Sequence, residues 1–193
     1  MNEEEIAVQV EVRWQAWSGD GLEHCVARES EGGLVLSGAV VGARGTKYGA
    51  FYDVRTDALF RTREVRVTYA DGAFLHVEAD GEGTWRDVLG RAPLPELSGC
   101  IDVDIGVTPA TNTLPVKRLD LAGGQSCDIL AAYVPLPSQI GDRFTPTCAK
   151  QRYTCLEPGR KYRYEGLFRN FTAVLEVDAN GLVLDYPETF RRI

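Results

Sequence analysis

Apolar side chains recur at every second position along several separate stretches of this chain. The first stretch alternates with polar residues and contains Ile6, Val8, Val10, Val12 and Trp14. Because successive side chains of a β-strand point to opposite faces, this spacing predicts a strand with one buried face. Similar or short apolar stretches cover residues 34–41, 59–69, 75–79, 101–107, 129–133, 171–177 and 182–186. Roughly ten or more short strands of this kind predict an all-β, antiparallel domain.

Turn signals separate the predicted strands. Asp71-Gly72 and Asn180-Gly181 each follow one alternating stretch and precede another. Both dipeptides readily adopt the positive φ angles of a tight hairpin turn. We therefore expect two hairpins, with the clearer one at Asn180-Gly181. The run at 34–41 follows a Glu-Gly-Gly turn and is expected to form the return strand of another hairpin.

Helical signals are few, and one or two short helices are expected. The best candidate covers residues 113–122, because Pro115 suits a first helical turn and Gly123-Gly124 would end the helix. The proline-containing segments 92–97 and 135–146 are expected to be loops. Strand spacing alone leaves a closed barrel, a half-open barrel and a sandwich as alternatives. A strongly curved sheet can enclose a ligand where side chains do not fill its interior.

Length and charge limit the possible functions. A chain of 193 residues suits one large domain, which we expect to span residues 1–193. Asp and Glu (28) exceed Lys and Arg (21), which gives a net charge of −7. An acidic protein lacks the positive field that attracts nucleic acid and is repelled by anionic membrane surfaces. We therefore expect no nucleic-acid partner.

Targeting and cysteine patterns point to the cytoplasm. No stretch approaches the ~20 apolar residues of a membrane helix, and the segment MNEEEIAVQV is acidic where a secretory signal is basic. The five cysteines are an odd number and form no CxxC pair. Free thiols in a reducing compartment fit this pattern better than disulfides or a structural zinc. We expect a cytoplasmic protein with no integral membrane segment, no metal and no cofactor.

The segment 99–119 contains the most distinctive polar pattern. On a strand, Asp102 and Asp104 share one face, with their Cβ atoms about 7 Å apart. Such a pair is consistent with a solvent-facing stripe, a hydroxyl-binding polar network, or a metal or acid–base site. Asn112 lies in a polar turn that follows, and Arg118 is close enough in sequence to pair with either aspartate.

The Glu23-His24-Cys25 segment is a second possible site. Adjacent strand residues face opposite ways, so His24 and Cys25 do not form a dyad by themselves. The only other histidine, His76, alternates with Phe74 and Glu78 and is expected on a strand surface. No phosphate-binding loop, dinucleotide fingerprint, zinc-protease helix or nucleophile elbow occurs.

Several sequence blocks resemble the bacterial putative glycolipid-binding family, formerly a domain of unknown function. The matching blocks are GLEHC at 21–25, GCIDVD at 99–104, TPATNTLPVKRL at 108–119, QRYT at 151–154, DANGLVLDYP at 178–187 and FRR at 190–192. This resemblance implies a half-open β-barrel similar to the bacterial lipoprotein carriers and receptors, which hold acyl chains in a hydrophobic cavity. The glycolipid label itself rests on likeness of fold.

The leading hypothesis is non-catalytic binding of a glycolipid or another amphiphilic acyl ligand, with its chain in the barrel cavity. Burying ~12 methylenes would contribute roughly 10 kcal/mol before the cost of ordering. The polar rim is expected to bind the head group through His24, Asp102, Asp104, Asn112, Arg118, Gln151 and Tyr153.

Two alternatives belong to other functional classes. A small enzyme would use Asp102 or Asp104 as a base and Arg118 as a clamp on a polar metabolite. An interaction module would instead have a filled core and a large exposed apolar patch. The oligomeric state and the ligand are not encoded in any motif of the sequence.

Overall fold

The computed structural model describes residues 8–193, so Ile6 of the first predicted strand lies outside the described residues. The strands are β1 (Val8–Ala16), β2 (Leu22–Ser30), β3 (Gly33–Gly42), β4 (Tyr48–Thr56), β5 (Thr62–Tyr69), β6 (Phe74–Ala79), β7 (Trp85–Asp87), β8 (Ala92–Pro93), β9 (Asp102–Ile105), β10 (Ser126–Val134), β11 (Thr147–Glu157), β12 (Lys161–Gly166), β13 (Phe171–Glu176), β14 (Asp185–Tyr186) and β15 (Phe190–Arg192). One α-helix, α1 (Thr113–Leu119), and the 3₁₀ turns Pro95–Leu97, Ala110–Asn112 and Pro137–Gln139 complete the described elements.

The larger sheet has ten strands in the order β14-β15-β1-β2-β3-β4-β5-β6-β7-β8. Its neighbouring strands are antiparallel, as the hairpin signals predict. The sheet curls into a half-barrel, so its alternating apolar residues point to the concave side. The predicted half-open, all-β architecture is therefore confirmed.

The smaller sheet has five strands in the order β13-β12-β11-β10-β9. Here the structure departs from a purely antiparallel arrangement, because β9 and β10 run parallel. A parallel pair needs a crossover connection. The segment from Gly106 to Gln125, which contains α1, provides that crossover.

Two tryptophans connect the large sheet to the rest of the molecule. The indole of Trp14 donates a hydrogen bond to the carbonyl of Val183 at 2.8 Å. The indole of Trp85 donates to the carbonyl of Cys100 at 2.7 Å. Both rings are fully buried, so these bonds satisfy the only polar atom of each side chain.

The concave side of the half-barrel is filled over most of its length. The large side chains of Trp14, Tyr52, Tyr69 and Trp85 are buried there and pack with aliphatic residues of both sheets. The alternation in the sequence identifies which face is buried, but it does not measure the volume left inside. A continuous apolar chamber for a whole acyl chain is therefore replaced by a close-packed core.

The predicted hairpin with its return strand at 34–41 is present as β2 and β3, whereas the hairpins predicted at Asp71-Gly72 and Asn180-Gly181 have different outcomes. Asp71-Gly72 joins β5 to β6 as predicted, with Gly72 at a φ of 97°. At Asn180-Gly181 the turn forms, but the residues on its two sides pair only through the isolated bridge between Val177 and Val183 and form no longer hairpin. The chain then leaves for the larger sheet, because Leu182 and Val183 pack into two different cores.

The helix is shorter than the sequence predicts. It begins at Thr113 and ends at Leu119, since Asp120 adopts a left-handed φ of 42° before the glycines are reached. Two segments expected to be loops contain short 3₁₀ turns, and Ala92–Pro93 also forms β8. Within residues 8–193, no helix has the length and apolar character needed to cross a bilayer.

Candidate functional site

An open cleft lies at one end of the half-barrel, where the inward side chains become small. Ala16, Gly21 and Gly42 border it and leave a volume of about 310 Å³. A Cβ added at Gly42 would lie 2.5 Å from the Tyr48 hydroxyl, so a side chain there would displace that residue. This volume is at the lower end of the range for small-molecule sites.

The apolar residues that line this end cleft include Trp17 and the buried side chains of Trp14 and Val40. The ring of Trp17 is unusual among them, because the residue is 45% exposed. The guanidinium of Arg191 lies 5.9 Å from the centre of that ring. The cleft therefore offers an aromatic face to a ligand that enters from solvent.

Glu23 forms part of the floor of the end cleft and is only 1% exposed. Its Oε1 accepts hydrogen bonds from the Tyr52 hydroxyl at 2.5 Å and the Thr108 hydroxyl at 2.6 Å. Its Oε2 has no hydrogen-bond partner among the described residues. Burial raises the pKa of Glu23 to about 8, although the two hydroxyls act in the opposite direction. The carboxyl group is therefore protonated at neutral pH and retains an unused polar atom.

A small polar cavity of about 30 Å³ adjoins the end cleft. Arg44 and Phe190 border both spaces, and Asp104 and Arg169 border the smaller one. Asp104 accepts a hydrogen bond from the Gln151 amide at 2.7 Å. Burial raises the pKa of Asp104, whereas Arg169, Gln151 and Arg44 act to lower it. The volume suits about one water molecule, so ligand atoms would reach this region only through the end cleft.

Asp102 forms a closed ion pair with Arg118. Nε and one terminal nitrogen of the guanidinium donate to the two carboxylate oxygens at 3.0 and 2.6 Å. The Asp102 side chain is 1% exposed, and burial raises its pKa against the opposing effect of Arg118. Both oxygens are engaged, so this pair fixes α1 against the small sheet. Arg118 also borders a separate groove of about 340 Å³, away from Asp104.

Asn112 and Tyr153 form another buried connection in this layer. The Tyr153 hydroxyl donates to Oδ1 of Asn112 at 2.8 Å, and the Asn112 amide donates to the carbonyl of Pro109 at 3.0 Å. Tyr153 also packs against Tyr164, with ring centres 5.4 Å apart. Tyr164 borders the small polar cavity, so this network supports one wall of the site.

The structure joins six of the seven predicted ligand-binding residues into three hydrogen-bonded pairs, which are Asp102–Arg118, Asp104–Gln151 and Asn112–Tyr153. Asp102 is buried, and Asp104 is half-buried beside the small polar cavity, so the pair does not form a solvent-facing stripe. His24 is separated from them because it lies on the outer face of β2, opposite to Glu23. Its register partners are Arg13 and Ala39, and its buried Nδ1 has no partner among the described residues.

Three residues of the site were not singled out from the sequence: Arg44, Arg169 and Tyr52. Glu23 was noted only as part of the Glu-His-Cys segment. A signal for Glu23 does exist, since period two places it on the same face as the buried residues Cys25 and Ala27. A carboxylate on the apolar face of a strand indicates a buried titratable group. Arg44 and Arg169 lie in turns, where no periodicity applies.

A possible metal-binding group lies elsewhere, on the outer face of β5 and β6. The ligand atoms of Glu64, His76 and Glu78 lie within 4.8 Å of one another. His76 Nε2 lies 2.8 Å from Glu64, and Arg66 and Arg86 pair with Glu64 and Glu78, respectively. Arginines already neutralise both carboxylates, so this group is an ion-pair network of the sheet surface.

The fold and the end cleft define an all-β, half-open-barrel protein with a mixed polar and aromatic site at one end. The chain belongs to the family described as putative glycolipid-binding, whose model matches residues 11–192. It is also similar to a solved DUF1089 family protein from Pseudomonas aeruginosa. The two share 34% identity, the TM-score is 0.69, and the match covers 100% of this chain and 96% of that one. A search of curated proteins gave no significant match.

Proposed function

We propose that the protein binds a glycolipid or a similar amphiphile without catalysis, with the head group in the end cleft. The observation that carries this proposal is the end cleft of about 310 Å³ with Glu23 among its lining residues, because the buried Oε2 of Glu23 has no hydrogen-bond partner among the described residues. A buried polar atom without a partner costs about 1–3 kcal/mol. A ligand hydroxyl or carbonyl that bonds to Glu23 would recover this free energy.

The chemistry of Glu23 suits a sugar-like head group. Tyr52 and Thr108 both donate to Oε1, so the proton of the neutral carboxyl group resides on Oε2. That O–H group can donate to an oxygen of the ligand and can accept from a hydroxyl. Trp17 offers its exposed ring to the apolar face of a sugar ring.

The size of the cleft limits how much of the ligand is enclosed. The filled core leaves no room for a chain of about a dozen methylenes behind the head group. We propose that only the head group and the first carbons of the tail are enclosed, against Trp14 and Val40. The rest of the tail leaves the cleft past Trp17.

The structure gives less support to the alternative enzyme. Asp102 and Arg118 engage each other fully, and Arg118 and Asp104 border different spaces. A base and an electrophilic clamp need to meet at one substrate. Binding therefore remains the function that the geometry supports best.

We further propose a single domain over residues 1–193 and a cytoplasmic location. The family match over residues 11–192 supports the first. The second is supported by five cysteines that are all free thiols, as expected in a reducing compartment.

Calorimetric titration with octyl β-glucoside, below its micelle concentration, tests the binding proposal. Ala16→Leu places a larger side chain in the end cleft and is expected to weaken binding about tenfold or more. Ala39→Leu is the matched control, because Ala39 is exposed on the opposite face of the same sheet. Equal affinity of the folded Ala16→Leu variant and the wild type would exclude the cleft as the site. Native mass spectrometry of the purified protein provides an independent search for a bound amphiphile.

A further inference from the structure

We propose that the head group is anionic and that Arg44 and Arg169 bind its carboxylate or phosphoryl oxygens. This inference rests on the proposed function and adds the chemical class of the ligand. It begins with the convergence of two turns: Arg44 follows β3, and Arg169 lies between β12 and β13. Both residues border the small polar cavity, and Arg44 also borders the end cleft.

Both guanidinium groups are held by aromatic rings. Arg44 lies 5.8 Å from the ring centre of Phe190, and Arg169 lies 4.7 and 4.4 Å from the ring centres of Tyr133 and Phe168. Stacking of this kind restricts a guanidinium while its N–H groups remain available. Neither arginine forms an ion pair with a carboxylate of residues 8–193. Arg169 also interacts with the hydroxyls of Tyr133 and Tyr164, so Arg44 retains more donors for the oxygens of an oxyanion.

The charges around the small polar cavity leave a positive excess. Among residues 8–193, Asp104 is the only carboxylate that borders the small cavity, and Gln151 already occupies one of its oxygens. Glu23 is neutral at neutral pH because burial raises its pKa to about 8. At the small cavity two arginines thus face one half-buried aspartate, whereas the exposed carboxylates of Asp20 and Glu188 border the end cleft, in a protein with a net charge of −7. A local positive field within an acidic protein favours an anionic ligand over a neutral one.

The two residues offer different contributions to such a ligand. Arg44 reaches the end cleft directly, so it is placed to make a forked contact with an oxyanion bound there. Arg169 lies on the far side of the small cavity, next to Asp104. Its charge is partly offset by that aspartate, so we expect a smaller contribution from it than from Arg44.

A matched pair of ligands tests this inference. Octyl β-glucuronide differs from octyl β-glucoside only by a carboxylate in place of the C6 hydroxymethyl group. We expect the wild-type protein to bind the glucuronide at least tenfold more tightly in calorimetric titrations at pH 7. Octyl phosphate serves as a second anionic probe, and tighter binding of it than of the glucuronide would identify a phosphoryl head group within the same class.

Substitutions of the two arginines test whether they cause the preference for the glucuronide over the glucoside. Arg44→Gln is expected to weaken glucuronide binding about tenfold and glucoside binding less than threefold, with a smaller change in the same direction for Arg169→Gln. Arg13→Gln is the control, because Arg13 is exposed on the outer face of β1. Equal affinity of the wild-type protein for both glycosides would overturn the proposal of an anionic head group. The end cleft would then be a site for neutral ligands. Binding of neither glycoside nor of octyl phosphate would overturn the proposed function as well.

Discussion

Asp102 and Glu23 are both buried carboxylates, but only Asp102 has a hydrogen-bond partner at each of its two oxygens. Asp102 lies between α1 and the small sheet, where Arg118 engages both of its oxygens. Glu23 lies at the end of the half-barrel, where two hydroxyls engage Oε1 and Oε2 has no partner among the described residues. One group is a charged member of a closed pair, and the other is a neutral acid beside an opening.

This difference separates polar residues that maintain the fold from those that can bind a ligand. A fully hydrogen-bonded buried group has no capacity for another partner. A buried group with an unused atom is costly in the free protein, and a ligand can remove that cost. The arrangement of Asp102, Asn112 and Tyr153 is of the first kind. The end cleft is of the second kind.

Breaking the closed pair is expected to give the largest loss of stability. Arg118→Met leaves the carboxylate of Asp102 buried without its partner, which typically costs about 3–5 kcal/mol. Urea denaturation measures this change in the free energy of unfolding. Arg152→Met is the control, because it breaks an exposed pair with Asp128 and is expected to cost less than about 1 kcal/mol. A similar small loss in both variants would show that the Asp102–Arg118 pair is not essential to the fold.

Glu23 is expected to make stability depend on pH. Its pKa in the folded protein, about 8, lies above the ordinary value of 4.5. As pH rises, the unfolded chain therefore releases this proton before the folded protein does. The free energy of unfolding falls as the pH rises from about 4.5 to about 8, and the fall stops above that. From pH 6 to pH 9 this loss amounts to about 3 kcal/mol.

Glu23→Gln tests that expectation because glutamine keeps the shape of the neutral acid. Urea denaturation at pH 6 and pH 9 should show that the variant lacks the 3 kcal/mol decrease attributed to Glu23. The same pH dependence in the variant and the wild type would mean that Glu23 is already ionised at neutral pH, and the contrast with Asp102 would disappear.

A smaller effect is expected from the neutral hydrogen bond between Tyr153 and Asn112. Tyr153→Phe removes the hydroxyl and leaves Oδ1 of Asn112 buried without this donor, which costs about 1–2 kcal/mol. Thermal unfolding followed by circular dichroism measures the loss. Tyr162→Phe is a useful comparison, since its hydroxyl accepts only a half-buried backbone N–H of Gly159. An equal effect of both substitutions would argue against a special role for the closed network.

Local patterns in the sequence predict most of the strands and the all-β class, whereas the half-open barrel was implied by the family resemblance. Period two identifies the buried faces of β1, β9 and β10, and Asp71-Gly72 identifies its hairpin. The Asn180-Gly181 turn shows the limit of such signals. A turn dipeptide determines where the chain reverses direction. Which sheet the chain joins after the turn depends on the cores into which Leu182 and Val183 pack.

The candidate site was predictable only in part. Asp102 and Arg118 are 16 residues apart, and the sequence indicated that Arg118 could pair with Asp102 or Asp104 without choosing between them. Arg44 and Arg169 come from distant turns, and only the tertiary structure brings them together. The filled interior was also beyond reach, because alternation indicates a buried face without giving the volume that Trp14 and Tyr69 occupy.

The pairing of β1 with β15 has a consequence for biosynthesis. Trp14 and Arg192 are register partners, so the edge of β1 can be covered only after translation has reached β15. Phe190 of β15 also borders both the end cleft and the small polar cavity. Until β15 has been synthesised and has paired with β1, the end cleft therefore lacks one of its walls, and the proposed binding site is incomplete.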